Sequence, residues 1–154
     1  MRILNDPSAL AALPPGVVRM LLHKRFAELS EDEPYDPAVN GFFIVVEAGD
    51  GIDAVEQQSG CRLLSNRFSD GRFGDANFVP DWECLTFHAG RDGSPGCFEI
   101  VFVLGDDGYG VEILIPLQRG IDPALLALCL TYSSPSPEFA VDQPSACLMG
   151  ANRP

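Results

Sequence analysis

The segment Cys97 to Pro116, CFEIVFVLGDDGYGVEILIP, restricts the fold more than any other part of the chain. Two β-branched and aromatic runs flank Gly105-Asp106-Asp107-Gly108, and Asp-Gly supplies the positive φ angles that a tight hairpin turn requires. With Asp107 and Gly108 as the turn centre, Leu104 falls opposite Val111, Phe102 opposite Ile113 and Ile100 opposite Ile115. These six residues share one face, because side chains alternate along a strand. The other face carries Cys97, Glu99, Val101, Val103, Glu112 and Leu114. One side is therefore fully apolar and the other mixed, the pattern of an antiparallel sheet covered on one face.

The flanking segments supply the partners of this hairpin. Val18, Leu21, Leu22, Phe26 and Leu29 recur at helical spacing over residues 17–29, with Arg19, His23, Lys24 and Glu28 toward the opposite side. An acidic stretch broken by Pro34 and Pro37 follows and reads as a loop. Residues 41–47, GFFIVVE, form a nearly continuous apolar run expected of a strand buried on both faces. Residues 52–59 suit a short helix stopped by Gly60, and 61–64 another short strand, so 41–64 is open between a parallel βαβ unit and a hairpin-like return. Residues 82–88, WECLTFH, alternate. They form the strand before the hairpin, with Leu85 and Phe87 on the apolar side and Trp82, Cys84, Thr86 and His88 on the mixed side. Asp122 and Pro123 give an N-cap and N1 pair for an apolar helix over 122–132.

The fold class expected is α+β: a single-layer, antiparallel-rich mixed sheet of 4–5 strands with helices packed on one face. One domain spans 1–132, and 133–154 form an irregular Ser/Pro-containing tail. At 154 residues with 46% hydrophobic content, the chain is long enough to bury a sizeable core without metal or disulfide support.

Charge narrows the classes of partner. Ten Lys and Arg against 22 Asp and Glu give a formal charge of −12, which repels phosphate backbones and anionic lipid. Nucleic acid and membrane are therefore poor partners, and a protein with a basic surface is a better one. No stretch approaches the 18 or so uninterrupted apolar residues of a membrane span, and Asn5, Asp6 and Pro14-Pro15 interrupt any signal-type apolar region. Cys61, Cys84, Cys97, Cys129 and Cys147 are odd in number and form no CxxC pair, which points to reduced thiols in the cytoplasm and to no metal site and no cofactor.

Two groups of residues could carry function. His88, Cys97 and Glu99 on the mixed face have the composition of a thiol-dependent site, where a histidine lowers a thiol pKa and a carboxylate orients the imidazole. Residues 65–81 show neither helical nor strand period, and in that loop Arg67-Phe68 and Arg72-Phe73, followed by Trp82, are residue types that anchor protein contacts. The functional expectation is a small acidic protein-binding module of the inhibitor or immunity type acting on a basic partner. An accessory or homodimerising domain is the alternative, and a thiol enzyme working from the mixed face is a third reading.

Overall fold

The computed structural model describes residues 1–63, 82–91, 93–105 and 108–135. Six strands form one mixed sheet in the order β1-β2-β5-β4-β3-β6: β1 (Arg2–Leu4), β2 (Gly41–Val45), β3 (Cys84–His88), β4 (Cys97–Val103), β5 (Gly110–Pro116) and β6 (Ser134–Pro135). The pairs β1–β2, β3–β4 and β4–β5 are antiparallel, and β2–β5 and β3–β6 are parallel. A 3-10 helix (Pro7–Ala12) and the helices α1 (Val17–Leu29), α2 (Pro37–Asn40), α3 (Ile52–Ser59) and α4 (Pro123–Tyr132) complete the described elements. None of the described helices is long and apolar enough to cross a membrane.

The hairpin forms in a register two residues away from the expected one. Phe102 pairs with Val111, Ile100 with Ile113 and Phe98 with Ile115, while the Leu104 amide donates to the Tyr109 carbonyl. A slip of two leaves every side chain on its face, so Ile100, Phe102, Val111, Ile113 and Ile115 are all buried. Leu104 is displaced from the core to the tip and is 51% exposed.

Helices cover both faces of the sheet, which corrects the expectation of helices on one. On the apolar face, α3 and α4 contribute Val55, Leu125, Leu128 and Cys129 to a core with Ile44, Val46, Ile100, Phe102 and Ile113. On the mixed face, α1 lays Val17, Leu21, Leu22 and Phe26 on Phe43, Val45, Cys97 and Leu114. The physical reason lies in β2: GFFIV is apolar at every position, so it needs cover on both sides. Residues 61–63 are not a strand, and β2 finds its parallel neighbour in β5 instead.

Two local devices hold the layers in register. Asp122 Oδ1 accepts from the Ala124 amide at 3.0 Å and its Oδ2 from the Ile52 amide at 2.8 Å, so one carboxylate caps the N-termini of α4 and α3 together. Gly41, with φ +87°, opens β2 where it pairs with Gly110; a Cβ there would lie 1.7 Å from the Gly110 carbonyl oxygen. Only glycine fits that approach.

Candidate functional site

The mixed face carries a buried polar cluster under the second half of α1. Arg25 projects from the side of α1 that also presents Leu21, Leu22 and Leu29, because residues three and four apart share a helix face. Its Nε donates to Glu99 Oε2 and its Nη2 to Glu99 Oε1, both at 3.1 Å, in the two-pronged geometry that matches a guanidinium to a carboxylate. His88 Nε2 lies 2.8 Å from the same Glu99 Oε1. Glu112, one row along on β5, brings Oε2 to 3.6 Å from Arg25 Nε. Glu99 and His88 are almost wholly buried, while Arg25 and Glu112 keep about a fifth of their side-chain surface.

Burial and neighbouring charge drive the two glutamates apart. Burial alone would raise the Glu99 carboxyl, but hydrogen bonds from His88, Glu112 and Arg25 outweigh it and bring it down to about 2. Burial raises Glu112, and the ionised Glu99 beside it raises it further, to about 9. Two carboxyls this close share one proton, with Glu112 holding it and donating toward Glu99. Glu112 Oε2 is shielded from solvent and has no hydrogen-bond partner among the described residues. Burial works against the charge of Arg25, but the hydrogen bonds and charge of Glu99 prevail and raise its pKa.

A cavity of about 180 Å³ that Glu112 helps to line lies at the end of the sheet where the hairpin turns. Leu29, Phe43, Val101 and Val103 give it apolar walls, and Asn40 adds a second polar group. The same end carries three exposed apolar residues: Val103 at 58%, Leu104 at 51% and Val39 at 49%. Around it runs the connection from α1 to α2, in which Glu31, Asp32, Glu33 and Asp36 are all exposed. Tyr35 ties this connection down by donating from its hydroxyl to the Gly41 carbonyl, with its ring edge-on to Phe26. Arg2, Arg19, Arg91 and Arg119 sit toward the opposite end, beyond the start of α1 and the close of β3 and β5.

The structure brings His88, Cys97 and Glu99 together: His88 pairs with Cys97 across β3 and β4 and hydrogen-bonds Glu99. It does so beneath α1. Cys97 is completely buried, and burial pushes its thiol up to about 12, with Glu99 adding to the shift. A reactive thiol needs an exposed, electropositive setting, which is the reverse of this one. Trp82 is also turned inward, 8% exposed in the apolar-face core with its ring edge-on to Tyr132 at 5.6 Å. It precedes β3, so strand alternation does not reach it, and its side chain is committed to the core rather than to a contact surface. Arg67, Phe68, Arg72 and Phe73 lie outside the described residues. Among the described residues no group of three or more His, Cys, Asp or Glu side chains is arranged to hold a metal ion.

Arg25 and the cavity were missed by the sequence reading. The signal for Arg25 was its place in the apolar stripe of α1, where a charged residue needs a buried counter-charge. The glutamates at positions 99 and 112 supplied it. No family model, curated protein or solved structure matches the chain.

Proposed function

We propose that the protein is a cytosolic binding module that docks a basic segment of another protein on the hairpin-tip end. The observation that carries this reading is the exposure of Val39, Val103 and Leu104 at the end of the sheet that also carries the exposed carboxylates of residues 31–36. Exposed apolar side chains grouped within a charged rim are the composition of a contact surface, whose centre is desolvated while the rim steers the approach. The rim sets the partner's sign. Carboxylates here, together with a net charge of −12, favour a segment rich in Lys or Arg and disfavour nucleic acid.

The test compares the full chain with two variants as bait: Asp32→Asn/Glu33→Gln/Asp36→Asn, which discharges the rim, and Val103→Ser/Leu104→Ser, which removes the apolar centre. A basic protein retained by the wild type, released by salt and weakened by both variants supports docking at this end. Retention of the same protein by all three baits overturns it. Light scattering of the wild type alone separates a second outcome, in which these apolar residues are covered by another copy of this chain.

A further inference from the structure

The cavity beside the hairpin tip combines apolar walls with the acidic residue Glu112 in its lining, and the hydrogen bonds of the charged cluster beside it are unequally shared. The fork of Arg25 is committed to Glu99 through two hydrogen bonds, and Glu112 receives only the flank of that guanidinium at 3.6 Å. Arg25 and His88 both make their hydrogen bonds to Glu99, so Glu112 is the glutamate of the pair without a hydrogen-bonded cation among the described residues. The volume, about 180 Å³, compares with about 30 Å³ for a single water. It has room for a short aliphatic chain.

We propose that this cavity receives an alkylammonium group, the end of a lysine side chain of the docked segment, with Glu112 as its counter-charge. Leu29, Phe43, Val101 and Val103 line its methylenes, as apolar surface does for the stems of lysines whose heads reach a polar partner. This inference rests on the docking reading above, because Val103 both lines the cavity and is one of the exposed apolar residues.

In the free protein a proton takes the place of the ammonium. Glu112 is faced by Glu99 from β4, by Arg25 and, farther out, Glu28 from α1, and by Cys84 from β3, while His88 touches Glu99. When the ammonium enters, the Glu112 carboxyl releases its proton to solvent and the carboxylate that remains pairs with the ammonium. One cation is exchanged for one proton, so charge balances. Binding then strengthens about tenfold per pH unit wherever Glu112 is still protonated and the amine, near 10.4 when free, is still charged.

The experiment uses n-butylammonium as the probe on the intact chain. Methyl resonances of Leu29, Val101 and Val103 report occupancy, and calorimetry in two buffers of different ionisation enthalpy counts protons. Saturable shifts in these methyls, one proton released per ammonium bound and the tenfold rise per pH unit are expected. Glu112→Gln, which preserves a neutral donor toward Glu99, should abolish both proton release and pH dependence. Val101→Phe fills the cavity and leaves Glu112 and Arg25 in place; it should abolish binding even if Glu112→Gln does not fold. Shifts no larger than those from an equal concentration of sodium chloride overturn the inference, as does unchanged binding in Val101→Phe. The rim variant Asp32→Asn/Glu33→Gln/Asp36→Asn separates the two readings. It should weaken the protein partner and leave butylammonium binding intact. If the partner is indifferent to the rim, docking fails at its own test; if the rim matters and butylammonium does not bind, only the lysine site fails.

Discussion

Burial and the ionised Glu99 beside it favour the protonated form of Glu112, and that gives the fold a pH dependence opposite in sign to the usual carboxylate. Its pKa is raised from 4.5 to about 9 in the folded state. Between those values the folded chain binds more protons than the unfolded chain at this residue, so Glu112 lowers stability progressively as pH rises. Glu99 has the ordinary sign: lowered from 4.5 to about 2, it contributes stability above 4.5 that is lost as pH falls toward 2. The pair together therefore favours folding most strongly near pH 4.5. Denaturant unfolding of wild type and Glu112→Gln from about pH 5 to about pH 9 should show the wild-type midpoint declining and the Gln variant's declining less. Parallel curves would mean that Glu112 ionises normally. Arg25→Met tests the other half of the cluster. It strips the Glu99 carboxylate, 3% exposed, of its guanidinium and leaves it only His88 and Glu112, and removal of one member of a buried pair costs about 3–5 kcal/mol. Combining Arg25→Met with Glu99→Gln should recover much of that loss, since the uncompensated charge is gone.

The elements show why alternation was a sound guide to faces and a poor one to layers. The period of two identified Ile100, Phe102, Val111, Ile113 and Ile115 as one buried surface even though the hairpin register differs by two residues, because such a slip preserves the face. What depended on the absolute register, the burial of Leu104, was not recovered. The helix over 17–29 and the cap at Asp122-Pro123 were also legible, each from a local signal. The side of the sheet that α1 covers was not. Glu99, Glu112 and His88 made the mixed face look solvated, and only the contact with Arg25, 74 residues away in the chain from Glu99, reveals that it is closed. Trp82 was misplaced for a related reason: alternation holds within β3, which begins at Cys84, and carries no authority before it. These elements give two contrasting expectations. Asp122→Ala removes the caps of α3 and α4 at once and should cost about twice the roughly 1 kcal/mol of a single cap. Leu104→Ser should change thermal stability little, whereas Phe102→Ala, at 1% exposure, should cost roughly 3–5 kcal/mol.

Among the described residues, the exposed carboxylates between α1 and α2 are concentrated at one end of the sheet, and their position makes a prediction which no single residue does. Exposed carboxylates of the connection between α1 and α2 crowd the hairpin-tip end, whereas at the other end Glu47 and Asp50 are paired with the N-terminal amine and Glu47 also with Arg2. A net charge of −12 attracts a basic partner from any direction, but the local field at the tip orients it. The position of a removed charge should therefore matter as well as its number. Asp32→Asn, in the rim, and Asp53→Asn, exposed on α3 on the opposite face of the sheet, change the net charge equally. With a basic partner in hand, stopped-flow association at low salt should be slowed more by Asp32→Asn, and dissociation should change little in either, since rim charges act on encounter. The difference should shrink as the Debye length falls to about 8 Å near physiological salt and below. Equal slowing by both substitutions would show that total charge alone drives encounter and would remove the tip from its proposed role.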